Sequence, residues 1–234
     1  TLKQTTWNME AALPFTTLQR KQHLTLAVQI AKPLSILLVS EMRPNIIVYT
    51  FKPLQALRVT RELVTLQHRN EMQQTIDTCI HEVMDVFYRP ELGLIVEHLS
   101  TDGELVDCFD GRLLNPGHAI EAMWFVMDLG KRLGRQDLIE KAVTIALNEA
   151  EYGWDKEHGG IFYFMDRLGR PCQQLEWDQK LWWVHIETLI TMLKGYQLTG
   201  NPKCMEWFER VHNYVWTHFT DKEYPEWYGY LNRR

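Results

Sequence analysis

The feature that most constrains this chain is a repeat with a period of 67 residues. Three short apolar runs begin at residues 93, 160 and 227: Gly93-Leu-Ile-Val-Glu, Gly160-Ile-Phe-Tyr-Phe and Trp227-Tyr-Gly-Tyr-Leu. His118 and His185 are separated by the same 67 residues. Short apolar and aromatic runs beside glycine predict strands. Because helical spacing fills the intervals between them, the repeat predicts a unit of two helices and a short β-hairpin.

The clearest helix is predicted over residues 181–196, where apolar residues recur every three or four positions. Gly200 then suits a C-cap, and Asn201-Pro202 suit the N-cap and the first position of a second helix. The same spacing predicts helices over residues 72–87 and 120–127. Two helices joined by so short a link form an αα-hairpin.

Arrays of helical pairs either stack into an open solenoid or close into a ring. Solenoid repeats usually have about 20–45 residues, so a period of 67 residues favours the ring. We therefore predict an all-α toroid of helical hairpins with short β-hairpins, whose loops converge at one rim of a central cavity. Pro14, Pro33 and Pro44 interrupt the early chain. This predicts an irregular N-terminal segment, 1–52, before a helical domain, 53–234.

Composition excludes several classes of protein. The chain has 25 Lys and Arg against 30 Asp and Glu, a net charge of -5, which argues against nucleic-acid and membrane partners. The apolar stretch 24–39 is broken by Lys32-Pro33 and is too short to span a bilayer. No signal peptide is recognised, and the four cysteines form no CxxC pair. We expect a cytoplasmic protein.

The segment Asn115-Pro-Gly-His is predicted to begin a helix. Asn115 suits the N-cap and Pro116 the first helical position, which places His118 in the first turn. The positive end of the helix dipole favours the neutral imidazole, which accepts a proton near neutral pH. The residues alone leave two interpretations open: a general base, or a capping or packing histidine.

One repeat later, His185 and Glu187 lie near the start of another predicted helix. His185 shares an apolar stripe with Leu181 and Leu189, so it is either a core histidine or a site residue. Glu187 lies about 200° further around the helix and faces different surroundings. No metal site is predicted, because the chain has no HxxxH or HExxH motif. It also lacks the glycine motifs of dinucleotide-binding proteins, P-loop enzymes and serine hydrolases.

Eight of the nine tryptophans lie in the second half of the chain. Helical spacing predicts core packing for Trp124, Trp207 and Trp216. Trp182, Trp183 and Trp227 instead lie beside charged residues at a predicted helix start or strand. An indole in that position is suited to stacking on the apolar face of a sugar ring.

Four ordered motifs resemble the N-acylglucosamine 2-epimerase family, also called the renin-binding proteins. The motifs are Asn115-Pro-Gly-His-Ala-Ile-Glu-Ala, Gly153-Trp-Asp-Lys-Glu-His-Gly-Gly-Ile-Phe-Tyr-Phe, Leu175-Glu-Trp-Asp-Gln-Lys-Leu-Trp-Trp-Val-His-Ile-Glu and Glu226-Trp-Tyr-Gly-Tyr-Leu. The resemblance covers about residues 53–234 and implies an (α/α)6 barrel, which agrees with the predicted ring. It also implies interconversion of N-acetylglucosamine and N-acetylmannosamine by movement of the C2 proton of the open-chain sugar.

The resemblance also implies site residues. The catalytic histidine of the Asn-Pro-Gly-His motif is His118 here, and the glutamate of the Trp-Trp-x-His-x-Glu motif is Glu187, a substrate-contacting or proton-handling residue. The substrate-binding residues implied are Glu121, Trp183, His185, Glu226 and Trp227. The family's second catalytic histidine, in a His-x-Pro-Arg motif, is expected beyond Arg234. No cofactor or metal is implied for the chemistry, although some members use a nucleotide activator, and an amino-sugar substrate and a homodimer are expected.

Length adds one further expectation. The 234 residues hold about three and a half repeats, whereas six helical pairs close the barrel, so the resemblance implies an incomplete barrel and a truncated form of the family. Two other functions stay open. One is a related aldose–ketose isomerase or cellobiose-type 2-epimerase, and the other is a catalytically inactive module that binds a sugar or a protein.

Overall fold

The computed structural model describes residues 48–49 and 69–233. The contacts of the chain divide it after Glu41, and every described residue belongs to the unit Met42–Arg234. The predicted boundary between residues 52 and 53 lies outside the described residues.

Helices make up most of the described chain. In chain order they are α1 Arg69–His81, α2 Phe109–Arg112, α3 Pro116–Leu133, α4 Gln136–Gly153, α5 Trp182–Thr199 and α6 Pro202–His218. The helix predicted over residues 72–87 is present as α1 and a π-helical segment that continues it, Glu82–Phe87. None of the described helices has both the length and the apolar character needed to cross a membrane.

Within the described residues, eight strands of two residues each form four antiparallel pairs. The pairs are β1 Val48–Tyr49 with β4 His98–Leu99, β2 Tyr88–Arg89 with β3 Leu94–Ile95, β5 Leu113–Leu114 with β6 Met165–Asp166, and β7 Lys180–Leu181 with β8 Tyr230–Leu231. In the last two pairs the first strand immediately precedes a long helix, and its partner follows the end of that helical hairpin. Each hairpin of helices is therefore closed at its base by a strand pair.

The 67-residue repeat of the sequence corresponds to a repeated helical hairpin in the structure. The hairpins α3–α4 and α5–α6 are its two units, and the starts of α3 and α5 are 66 residues apart, as are those of α4 and α6. Gly134 and Gly200 end the first helix of each hairpin with φ of +68° and +69°, where glycine is favoured. The described residues thus contain two complete helical pairs.

Helix α3 occupies the centre of the described core. It packs against α4 and α5, and α5 packs in turn against α6. Ile120, Met123 and Met127 on α3 are almost fully buried, and burial of each such side chain stabilises the fold by about 1.5–3 kcal/mol. A polar contact also joins α3 and α5, because Thr191 Oγ1 on α5 donates to the carbonyl oxygen of Ile120 on α3 at 3.0 Å.

Of the three predicted strands, the second lies just after its apolar run, and the third occupies only the last two residues of its run. In the second run, Ile161 forms only an isolated bridge with Trp154, and the strand is β6, which follows the run. The Ile161 N–H is taken by the side chain of His185 at 3.0 Å, so it is not offered to a strand partner. In the third run, Trp227 bridges Thr220, and pairing continues only at β8.

Candidate active site

The N-terminus of α3 places His118 at the start of the helix, as predicted. The side chain of Asn115 accepts a hydrogen bond from the His118 N–H at 3.2 Å, and Pro116 is the first helical residue. This cap satisfies one of the backbone donors that every helix start leaves open. The capping group is therefore Asn115, which leaves the imidazole of His118 for another role.

The imidazole of His118 faces a buried carboxylate. Its Nδ1 lies 3.6 Å from Oε2 of Glu97, a residue between β3 and β4 that is 7% exposed. Burial acts to lower the pKa of His118, but the interaction with Glu97 and the negative charge of Glu121 act more strongly. The pKa of His118 therefore lies above its ordinary 6.5. The helix dipole alone predicts the opposite direction, and the acidic neighbours reverse it.

The start of α5 supplies an aromatic wall beside this pair. The ring of Trp183 lies 5.6 Å from that of His118 and 6.2 Å from that of Tyr163. The close approach requires glycine at position 117, because a Cβ there would lie 2.7 Å from Val184 Cγ2 and 2.9 Å from Trp183 Cη2. The missing side chain thus brings the indole of α5 against the first turn of α3.

A second carboxylate lies on the same seam between α3 and α5. Glu187 on α5 accepts a hydrogen bond from Trp124 Nε1 on α3 at 2.7 Å, and both side chains are half-buried. Glu121 lies between His118 and Trp124 in the α3 sequence and is also half-buried. The seam therefore combines a histidine, three carboxylates and two indoles, a set suited to proton transfer and to contacts with a polyhydroxylated ring.

His185 lies in the core, which corrects its prediction as a substrate-binding residue. It is 0% exposed, its Nδ1 pairs with the Leu181 carbonyl oxygen at 2.7 Å, and its Nε2 accepts from the Ile161 N–H at 3.0 Å. Burial first, and the charge of Lys180 second, lower the pKa of His185 to about 4, against the Leu181 hydrogen bond, which raises it. The ring is neutral, with both nitrogens engaged by the protein, and so holds no atom for a sugar.

Glu226 and Trp227 follow α6, in a segment joined to the start of α5. The Trp182 N–H donates to the Gly229 carbonyl oxygen at 3.1 Å, next to the β7–β8 pair. Glu226 is exposed, and the ring of Trp227 packs at 5.1 Å from that of Trp216. The segment therefore lies at the same end of α5 as Trp183, and its two residues remain weaker candidates for substrate contact than those of the seam.

Two tryptophans differ from their predicted core positions. Trp207 is buried as predicted, but Trp216 is 53% exposed and donates to His212 Nε2 at 2.7 Å. Trp124 is a partner of Glu187, and neither it nor Glu97 was recognised as a site residue from the sequence. The one available signal for Glu97 is its position as the acidic residue that ends the apolar run starting at Gly93.

A metal-binding cluster is not found within residues 48–49 and 69–233. No group of three or more His, Cys, Asp or Glu side chains in this part of the chain is placed to hold an ion.

Curated relatives resemble the chain over about two thirds of its length. It is 41% identical over 162 residues to N-acylglucosamine 2-epimerase of Mus musculus, which covers 67% of this chain and 38% of the mouse protein. The Homo sapiens protein of the same name is 42% identical over 162 residues, covering 67% of this chain and 37% of its own length. The chain therefore spans less than two fifths of these relatives.

Solved structures of sugar-converting enzymes share the fold. Cellobiose 2-epimerase from Bacillus thermoamylovorans B4167 matches with a TM-score of 0.67 and 21% identity, covering 79% of this chain and 46% of that one. A D-mannose isomerase matches with a TM-score of 0.68 and 16% identity, covering 83% and 51%. These likenesses confirm the predicted fold class, that of the (α/α)6 barrel enzymes. The profile of the N-acylglucosamine 2-epimerase (GlcNAc 2-epimerase) family matches residues 56–234, most of the chain, and the chain therefore belongs to that family.

Proposed function

We propose that this chain carries the His118 acid/base group of a sugar 2-epimerase that interconverts N-acetylglucosamine and N-acetylmannosamine. The observation that carries the proposal is the pair of half-buried His118 and buried Glu97, whose Nδ1 and Oε2 lie 3.6 Å apart at the start of α3. The raised pKa of His118 lies closer to neutral pH, where the same imidazole can both accept and return a proton. The membership of the family supplies the substrate class.

The proposed step begins on the open-chain sugar. His118 Nε2, the nitrogen on the far side of the ring from Glu97, takes the proton from C2. The electron pair of the broken C2–H bond forms the C1–C2 double bond, and the carbonyl oxygen at C1 takes the negative charge. Return of a proton to the opposite face of C2 from a second acid inverts the centre, and the charge moves back from the oxygen. The reaction needs no redox partner, because no electrons leave the sugar.

The other residues of the seam have binding roles in this proposal. Trp183 stacks on the apolar face of the sugar beside His118, and Glu187 accepts a hydrogen bond from a sugar hydroxyl. The indole of Trp124, which donates to Glu187 at 2.7 Å, fixes the direction of that carboxylate. Glu121 contributes charge near His118. Glu226 and Trp227 are proposed as outer contacts from the segment after α6.

The test is exchange of the C2 proton with solvent. N-acetylglucosamine and N-acetylmannosamine are incubated with the protein in D2O, and deuterium at C2 is followed by proton NMR. Replacement His118→Asn is expected to lower the exchange rate at least about 100-fold, the usual contribution of general acid–base catalysis. The matched control is His212→Asn on the exposed face of α6. Equal exchange by wild type and His118→Asn contradicts the role of His118.

Substrate profiling separates the alternatives that the sequence left open. An aldose–ketose isomerase or a cellobiose-type 2-epimerase converts mannose or cellobiose faster than the N-acetylated sugars. A binding module retains the sugar in equilibrium dialysis while no deuterium enters C2. Either result replaces the proposed activity. The nucleotide activator, the homodimer and the cytoplasmic location stay predictions from the family resemblance and the composition.

A further inference from the structure

Helix α4 contains a buried carboxyl group that the proposed reaction does not use. Glu149 is 0% exposed, and its Oε1 accepts a hydrogen bond from the Ile95 N–H at 2.7 Å. Its Oε2 is also buried and has no hydrogen-bond partner within the part of the chain that the structure describes. Burial of a carboxyl group with half of its hydrogen-bonding capacity unused is unfavourable. The cost of burying Glu149 in this way indicates that the residue has a role that offsets it.

The geometry of the β2–β3 hairpin shows what Glu149 provides. Tyr88 and Ile95 are opposite each other, while the Val96 N–H donates to the Phe87 carbonyl oxygen at 3.1 Å. Hydrogen-bonded and non-hydrogen-bonded pairs alternate in an antiparallel ladder, so the Ile95 N–H points away from β2. Without Glu149 this buried donor would have no acceptor in the hairpin. The carboxyl therefore fixes the backbone of the strand end.

The fixed backbone leads directly to the His118 site. Glu97 follows Ile95 by two residues, and its Oε2 lies 3.6 Å from His118 Nδ1. Asn148, next to Glu149 on α4, also holds the hairpin, through a 3.1 Å hydrogen bond from its Nδ2 to the Gly93 carbonyl oxygen. Of these two hydrogen bonds, the one from Ile95 to Glu149 is nearer to Glu97 along the chain.

Two carboxyl groups close together do not both carry a full charge at low cost. Burial, followed by the charge of Glu97, raises the pKa of Glu149 well above 4.5, against the Ile95 hydrogen bond, which lowers it. The charged or titratable groups that act here are Glu97 beside Glu149, Tyr152 further along α4, and Glu121 beside His118. The shift favours the uncharged form of Glu149.

We propose that Glu149 is a positioning residue for the His118 site: its buried carboxyl group holds the Ile95 backbone so that Glu97 faces the imidazole. The proposal rests on the proposed function only for its catalytic consequence. Its structural content concerns the pair of Glu97 and His118 and is measurable without any substrate. A negative result in the epimerase assay therefore does not contradict the role of Glu149. Equally, a negative result for Glu149 does not contradict the proposed epimerase activity.

The test compares three replacements of Glu149 by NMR titration of the His118 ring in the folded protein, with the signal assigned from its loss in His118→Asn. Glu149→Gln keeps an uncharged group with an oxygen for Ile95, and the His118 pKa is expected to stay at the wild-type value. Glu149→Leu removes the acceptor, and the His118 pKa is expected to fall by about one unit as Glu97 moves away. Asn148→Ala is the matched control and leaves it unchanged.

Glu149→Asp covers the case in which Glu149→Leu does not fold. Aspartate retains the carboxyl but withdraws it by one methylene, so the His118 pKa is again expected to fall. A purely structural role for Glu149 predicts that the folded variants lose stability while the His118 pKa stays constant, which overturns the proposal. A fall in Glu149→Gln equal to that in Glu149→Asp also overturns it, because the group would then act through its charge.

Discussion

The pKa of His118 results from opposing effects that meet at the start of α3. The helix N-terminus and burial both disfavour the imidazolium, whereas the carboxylates of Glu97 and Glu121 favour it. The carboxylates prevail because Glu97 is itself buried, 3.6 Å away, where solvent screens the interaction weakly. A histidine balanced in this way is suited to a step that removes and later restores a proton.

Replacement Glu97→Gln tests this balance at the scale of one residue. The amide keeps the shape of the side chain but removes its charge, so burial and the helix dipole then dominate. The pKa of His118 is expected to fall by about one unit, measured by NMR titration. The acidic limb of the pH–rate profile for C2 exchange is expected to move to lower pH by the same amount.

The matched control for Glu97→Gln is Glu104→Gln, which removes an exposed glutamate seven residues along the chain. It is expected to change neither the titration nor the rate profile. A His118 titration that is the same in wild type and Glu97→Gln would show that the raised pKa has another origin.

How far the sequence predicts the site depends on whether its contacts are local. The position of His118 follows from Asn115 and Pro116, which act within one helical turn. The Trp124–Glu187 hydrogen bond joins residues 63 apart, and the Glu149–Ile95 hydrogen bond joins residues 54 apart. Local spacing contains no information on such pairs, so Trp124 was predicted as core and Glu149 was not recognised.

At the scale of elements, the helices were predictable and the strands less so. Periodicity and caps locate α5 and α6, because apolar faces and terminal hydrogen bonds are specified within each helix. The two-residue strands depend on partners across a whole hairpin, as in the pairing of Leu181 with Tyr230. Tertiary partners, rather than the composition of the apolar runs, decide where these strands begin.

Contact between helices is tested at Gly117, where α3 meets the start of α5. In Gly117→Ala the new Cβ would lie 2.7 Å from Val184 Cγ2 and 2.9 Å from Trp183 Cη2. The helices must separate, and overpacking of this kind lowers the free energy of unfolding by about 1–3 kcal/mol. Urea denaturation measures the loss, and C2 exchange is expected to slow because Trp183 moves away from His118.

Gly229→Ala is the matched control for the helix contact, since its Cβ would meet its nearest neighbour, Trp182 Cδ1, only at 4.0 Å. Its unfolding free energy is expected to stay within about 0.5 kcal/mol of wild type. Equal stability of the two variants would show that α3 and α5 tolerate a wider separation than the structure implies.

At the scale of the described molecule, the helical hairpins α3–α4 and α5–α6 have the same arrangement of helices and strands. The strand before α3 pairs with a strand after α4, and the strand before α5 pairs with one after α6, so the polar seam of α3 and α5 lies beside the loops of one end. The two histidines that lie 67 residues apart differ in helical position, because the helices that carry them begin 66 residues apart. His118 is the third residue of α3, and His185 is the fourth residue of α5. His118 faces carboxylates at the seam, while His185 binds the backbone of the neighbouring loop and stabilises the fold.

The buried His185 makes the stability of the molecule dependent on pH. Its pKa is about 4 in the folded protein, below its ordinary 6.5, so between these values the unfolded chain binds a proton that the folded chain does not. The contribution is complete above pH 6.5 and is lost as the pH falls toward 4. This shift corresponds to about 3 kcal/mol.

Replacement His185→Gln is expected to remove this acid-dependent loss. The variant is less stable than wild type at pH 7, because glutamine does not reproduce both hydrogen bonds, to Leu181 and from Ile161. Below pH 6.5 the difference in unfolding free energy between the two proteins narrows by about 1.4 kcal/mol per pH unit until pH 4. Urea denaturation at half-unit steps measures the difference, in which the opposite pH dependence of Glu149 cancels because both proteins retain that residue. A difference that stays constant from pH 7 to 4 would show that folding does not shift the pKa of His185.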